Sequence, residues 1–250
     1  MKPARFYFSF WSPYSWIASR LLEERLDSGR FGLQYTPYWP PDSTTLELLR
    51  GLGGEFLYIK MTRQKHLYIL QDIKRIAHSL GTPFTWPIDN EPWLDLPHLA
   101  YLAAVRLDLG REFFRAAHRA RWQQGRDICV RETIRELAAE IGAPADALAG
   151  APEDPAIRRA GAEALLVAYR DQVFGVPFFV KGFQRFWGVD RLGAFLAEVE
   201  GRKYFYLAGG ALSGEVDWSS GPPLAPPPPP PEAVAAAVGA YDQDSAGGCG

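Results

Sequence analysis

The chain has 250 residues, 47% of them hydrophobic, and its 27 Lys and Arg set against 29 Asp and Glu leave a formal charge of −2. That is enough apolar material for one substantial core with an inserted subdomain, and too even a charge balance to argue for nucleic acid as a partner. Two cysteines far apart and four scattered histidines (His66, His78, His98 and His118) give neither a disulfide framework nor zinc-ligand spacing, so no metal is expected. No apolar run approaches the roughly 20 residues that span a bilayer. Residues 6–17 are too interrupted by serine and proline for a signal peptide, so the expected setting is cytoplasmic, away from membranes.

Residues 5–10 (RFYFSF) are short and aromatic, as a buried strand should be. They run into Ser12-Pro13-Tyr14-Ser15, where Ser12 suits a helix N-cap and Pro13 the first helical position. Trp16, Ile17, Leu21, Leu22 and Leu26 recur at helical spacing and predict a helix over 12–27, stopped at Gly29. Residues 33–38 alternate as a second strand, ended by Pro40-Pro41. Strand, helix, strand at this spacing predicts a parallel βαβ start.

From 43 to 168 the pattern is almost wholly helical: 44–52, 61–80, 96–109 stopping at Gly110, 112–124 ending at Gly125, 127–141 and 155–169. A proline-rich irregular loop occupies 84–93, and Cys129 falls within a helical pattern as a small buried apolar residue. Residues 175–180 are β-rich, Lys181-Gly182 reads as a two-residue connection, 183–187 as the partner strand, and 189–200 as a final amphipathic helix. This order outlines a thioredoxin-like α/β fold with an inserted all-helical subdomain. The expected divisions are 1–42 with 170–202, an insertion over 43–169, and a tail over 203–250. Within that tail 222–231 is nearly pure proline, which predicts polyproline II and disorder.

The chemistry starts at Ser12. A hydroxyl at the positive end of a helix, beside backbone N–H groups, can hold an anion, and a thiolate is one candidate. A helix cap explains the same residue. Redox proteins of this outline carry Cys-x-x-Cys here; Ser12 and Ser15 replace both sulfurs, which excludes dithiol chemistry at this position. Val176-Pro177 sets proline at the mouth of a strand, where it removes a ladder donor. An edge-strand proline and a cis proline facing the first helix both fit.

Residues 8–18 (FSFWSPYSWIA) resemble the opening of the kappa-class glutathione transferases and 2-hydroxychromene-2-carboxylate isomerases. GVPFFV at 175–180 and FWGVDRL at 186–192 resemble that family's cis-proline and γ-glutamyl-binding segments. Lys65, Tyr68, Asp72, Arg75 and Ala77, followed by Gly81 and Pro83, resemble its K-x-x-Y-x-x-x-D-x-x-R-x-A helix. The resemblance runs in order over about residues 5–200.

It implies that Ser12 holds a glutathione-type thiolate and that the Val176 backbone, ahead of a cis Pro177, meets the cysteinyl part. Asp190, beside Val189, takes the amino group, and Lys65 lies near a carboxylate. Trp11, Tyr14, Tyr38 and Trp39, with Trp86 and Trp93, are the aromatic residues available for a substrate pocket. Helix-start carboxylate and solvated lysine remain the plain alternatives for Asp190 and Lys65. Two departures stand out: Val189 replaces a hydroxyl residue of the transferase-like members, and no asparagine occurs between Pro40 and Ile59. Both turn attention from glutathione to another low-molecular-weight thiol, or a pantetheine thiol on an acyl carrier protein. The implied activity is thiol-dependent cis–trans isomerisation of a conjugated double bond in an aromatic or polyene carbonyl substrate. Kappa-type transfer or peroxide reduction, action on a carrier-bound polyketide intermediate and a non-catalytic scaffold are the alternatives. A homodimer is usual for such proteins.

Overall fold

The computed structural model describes residues 3–25, 32–57, 61–89 and 92–204. The helix end expected at Gly29 and the proline-rich stretch of the tail lie outside them. Strand β1 (Arg5–Phe8) is central in a four-stranded sheet and is buried along its whole length, which explains its aromatic run. Helix α1 (Pro13–Arg25) returns the chain to β2 (Gln34–Pro37), which pairs parallel to β1 with Arg5 opposite Gln34 and Phe8 opposite Pro37. On the other side β3 (Phe178–Lys181) runs antiparallel to β1, and β4 (Gln184–Trp187) closes a hairpin, giving the order β2-β1-β3-β4. Phe6 faces Phe179 directly across the strands, their rings stacked at 5.2 Å, and Phe179 stacks in turn on Phe195 at 4.9 Å. Such ring pairs contribute about 0.5–1.5 kcal/mol beyond the area they bury.

Between β2 and β3 come the helices α2 (Ser43–Gly51), α3 (Arg63–Ser79), α4 (Asp95–Arg106), α5 (Gly110–Trp122), α6 (Arg131–Glu140), α7 (Ala145–Ala149) and α8 (Pro155–Arg170). A 3₁₀ turn (Val189–Arg191) and α9 (Leu192–Glu200) follow β4. Local chemistry starts several of these: Asp42, Thr62 and Asp154 each accept a backbone N–H of the first turn, and Pro155 takes the first position of α8.

Three local expectations are corrected, and one short helix is added. Gly110 does not stop a helix but begins α5; the break is made by Asp108, whose φ is +59°. Cys129 is not helical, because the Asp127 carboxylate accepts its N–H at 2.8 Å and forms a turn before α6. Helix α7 is too short for its periodicity to show. The hairpin turn is Gly182-Phe183, one residue later than expected, since Lys181 pairs with Gln184 and Gly182 supplies a φ of +60°.

A buried polar knot ties the helices to one another. Asp95, 1% exposed, accepts the Asp42 N–H at 2.7 Å and the Thr45 hydroxyl at 2.5 Å. Arg158 reaches over from α8 to Asp42 at 2.8 Å and to Thr45 Oγ1 at 2.7 Å. Beside it α8 crosses α4 where Gly161 leaves no side chain. A Cβ there would lie 2.6 Å from Leu99 and 3.3 Å from the Trp39 ring. At the sheet, Asp171 just past α8 accepts the Tyr7 hydroxyl at 2.6 Å and the Arg5 Nε at 2.8 Å, fixing the approach to β3.

Two outcomes follow from this packing. Gly161→Ala should lower unfolding free energy by about 1–3 kcal/mol through overpacking, read as a lower urea midpoint at unchanged slope. The second concerns acid. Burial holds both His98 and His118 at about 3, far below the ordinary 6.5. Because the unfolded chain binds those protons first, the stability is intact above pH 6.5 and is lost as pH falls from 6.5 toward 3. Each histidine should remove about 2 kcal/mol by pH 5. His118→Leu should therefore flatten the decline in urea midpoint between pH 7.5 and 5 by about half.

Candidate functional site

The site grows from the four residues that join β1 to α1. Ser12 caps α1: its Oγ accepts the Ser15 N–H at 3.2 Å, and its carbonyl accepts the Trp16 N–H. The Ser12 hydroxyl donates to the Val176 carbonyl at 3.3 Å, tying the helix start to the loop ahead of β3. The Val176–Pro177 peptide bond is cis, and the Pro177 carbonyl accepts the Gly188 N–H.

Behind this turn lies His98 of α4, fully buried. The Phe10 N–H donates to its Nε2 at 3.1 Å, so that nitrogen carries no proton, and Nδ1–H donates to the Leu94 carbonyl at 2.6 Å. The Ser9 hydroxyl sits 3.2 Å from the same Nε2 and accepts the Trp11 N–H. Desolvation keeps this imidazole neutral. Trp39 stacks flat on it at 4.9 Å and is fully buried. Trp39 is thus a core residue, not a pocket wall, because the imidazole holds its face.

A cavity of about 580 Å³ opens in front of Ser12. Of the residues expected from the sequence, Trp11, Ser12, Tyr14, Tyr38 and Val176 line it, and Trp86 joins them. Tyr14 donates to Asp72 at 2.7 Å, and Asp72 is also met by Tyr68 and Arg75. The Tyr68, Asp72 and Arg75 motif is therefore a brace that sets the middle of α3 against α1. Tyr38 donates to the Leu57 carbonyl and stacks on Phe56.

The cavity wall does not include Lys65, Pro177, Val189 or Asp190. Lys65 is half-buried on α3, Val189 packs toward the core, and Asp190 is exposed with its carboxylate 2.7 Å from its neighbour Arg191. Trp93 also lies elsewhere, its indole N–H on Asp42 and the Arg131 guanidinium over its ring.

Sequence reasoning missed an ion pair in the wall. Arg121, 2% exposed, forms a bidentate pair with Asp89 at 2.8 and 2.6 Å and packs over the Trp122 ring at 4.9 Å. Asp89 also accepts the Trp11 indole N–H at 3.0 Å. Burial alone would push the Asp89 carboxyl up, but the Arg121 bonds and charge, with Trp11, hold it below the usual range. A signal existed: Arg121 stands four residues after Ala117 and seven after Phe114, on the buried face of α5. Met61, Thr62, Arg63 and His66, from the start of α3, were also missed. Cys129 takes no part, its thiol pushed up to about 12 by burial.

A second groove, about 610 Å³, runs along β2 past Tyr35, Tyr101, Glu23 and Arg111. It is slightly larger and includes the start of α5 at Gly110, but it lies away from the Ser12 cap and the Val176 carbonyl to which that cap is bonded, so the chemistry points to the cavity at Ser12. Among the described residues no three His, Cys, Asp or Glu side chains converge as a metal site requires. Nor is any helix there long and apolar enough to cross a membrane.

The comparisons bear on the fold and the family. The 2-hydroxychromene-2-carboxylate isomerase of Sphingobium xenophagum is 28% identical over 193 residues, covering 76% of this chain and 94% of that protein. A solved 2-hydroxychromene-2-carboxylate isomerase superposes with a TM-score of 0.62 at 20% identity, over 80% of this chain and 95% of its own. The cytosolic disulfide reductase DsbM from Pseudomonas aeruginosa, solved with GSH, superposes with a TM-score of 0.52 at 21% identity, over 80% and 95%. Those two likenesses show the thioredoxin-like fold with its helical insertion. Residues 5–200 match the DSBA-like thioredoxin domain, and the chain belongs to that family.

Proposed function

We propose that this protein is a cis–trans isomerase that uses a bound thiol to act on a conjugated carbonyl substrate. The observation that carries the reading is the Ser12 hydroxyl, which joins the start of α1 to the Val176 carbonyl on the wall of an aromatic cavity. Its relative of 28% identity is named as an isomerase, which supports an enzyme of that class. A bound thiol supplies a nucleophile that adds to the conjugated system, frees rotation about the former double bond, and leaves again. The protein's part is to favour the anionic form. The α1 end offers partial positive charge, and Ser12 can turn its O–H from Val176 to the anion. Trp11, Tyr14, Tyr38 and Trp86 give a planar substrate an apolar bed and exclude water from it.

The residues at hand fit a thiol better than they fit the whole of glutathione. Ser12 and Val176 line the cavity, whereas Asp190 and Lys65, expected for the amino group and a carboxylate of glutathione, do not. That favours a smaller thiol or a pantetheine arm, and with the latter an acyl carrier protein as partner. Service as a homodimer in the cytoplasm, where thiols stay reduced, completes the proposal.

Thermal unfolding with glutathione, cysteamine and pantetheine tests it. At a concentration of about 100 Kd a binding thiol should add about 2.7 kcal/mol to wild-type stability. Ser12→Ala should lower the basal stability by about 1 kcal/mol through the lost cap. It should also weaken thiol binding at least tenfold, since a hydrogen bond to a charged group is lost. No shift with any of the three thiols would sink the thiol-dependent reading.

A further inference from the structure

A thiol that enters as the neutral S–H must give up its proton inside the cavity, and this step rests on the reading just given. The groups on the wall can be taken in turn. The Ser12 hydroxyl already donates to Val176 while its oxygen accepts the Ser15 N–H. Tyr14 and Tyr38 donate to Asp72 and to the Leu57 carbonyl. Asp89 is clamped by both Arg121 nitrogens and by Trp11. Arg63 and Arg121 carry no lone pair with which to accept a proton.

His66 is different. It lines the same cavity from the first turns of α3, and its ring meets the edge of Trp86 at 5.9 Å and 90°. Among the described residues no hydrogen bond occupies either of its ring nitrogens. His98 and His118 do not line the cavity; both are buried, with Nδ1 bound to a backbone carbonyl. The charged groups that share the wall with His66 are Arg63 on its own helix, Asp89 on the loop before α4, and Arg121 on α5.

We propose that His66 is the general base of this site, taking the proton of the bound thiol and returning it when the thiol departs. The S–H bond breaks, its electron pair stays on sulfur, and the proton forms an N–H bond on the imidazole. Nothing is oxidised or reduced. The imidazolium so formed faces the anion across the cavity and strengthens the field of the α1 end. Imidazole is the side chain whose proton exchange is matched to neutral pH.

The test is a pH titration of the thiolate ultraviolet absorbance of protein-bound glutathione, in wild type, His66→Gln and His66→Asn, with thermal melts to confirm folding. Thiolate should form in the wild type at a pH at least about one unit lower than in either variant, a tenfold difference in proton affinity. Above the thiol's own ionisation the variants should bind glutathione as tightly as the wild type does, which a merely structural role for His66 would not produce. Coincident titrations with binding intact would overturn the assignment of His66 alone. Should glutathione not bind, pantetheine replaces it in the same titration. Failure of both thiols to bind the wild type overturns the thiol reading and the role of His66 with it.

Discussion

Where β1 hands over to α1, the backbone N–H groups of Phe10 and Trp11 belong to neither sheet nor helix and are buried or half-buried. His98 and Ser9 satisfy them: Phe10 donates to the imidazole Nε2, Trp11 to the Ser9 hydroxyl, and that hydroxyl lies against the same Nε2. Leaving such groups unmade costs about 1–3 kcal/mol each. The arrangement works only with an unprotonated Nε2, and burial together with the Leu94 carbonyl on Nδ1 enforces that tautomer. Ser12 stands where it does because the three residues before it are held this way. A side chain from the helical insertion thereby sets the geometry of a turn that belongs to the sheet.

The same exchange between insertion and sheet builds the rest of the site. The sheet side brings Ser12 and Val176; α3 brings His66 and α5 brings Arg121. These halves must meet in a fixed register for the cavity to keep its shape. Tyr14 on Asp72 fixes α1 against α3, and the Trp122 indole on the Phe10 carbonyl fixes α5 against the turn. The Asp42, Thr45, Asp95 and Arg158 knot holds α2, α4 and α8 together behind them. A buried charge cluster of this kind is weak evidence for stability, since desolvation opposes its attraction, but removing one member leaves the others buried and uncompensated.

Much of the fold was legible because it is written locally. The aromatic run of β1, the cap at Ser12, and the glycine and proline punctuation before β3 are each decided within a few residues. The misses share a cause: they depend on what lies across the molecule. Gly110 looks like a stop, yet it is Asp108 that adopts the left-handed turn. Trp39 looks like a pocket wall until His98, 59 positions later in the sequence, is seen to cover its face. Asp89 and Arg121 are separated by a helix and two turns, and no spacing rule pairs them. His66 sits one place along from the lysine that the family motif singles out, so the motif drew attention past it.

The pairing of Arg121 with Asp89 bears on how the cavity treats an anion. A buried guanidinium without a partner would be the strongest attraction in the pocket and would hold any thiolate or carboxylate that entered. Neutralised in bidentate fashion, it contributes shape and a fixed indole at Trp11 instead of a net charge. The positive field left is that of the α1 end, with Arg63 at the start of α3. That field is modest, about 0.3–1 kcal/mol for an exposed helix end and up to about 2 when partly buried. It suits the proposed reaction, whose nucleophile must be ionised to add and must then leave. Cysteines at positions 12 and 15 would have made the sulfur part of the protein and its chemistry redox. With serines there, the proposed reaction has its sulfur arrive and depart as a ligand, and a field of this size is compatible with both.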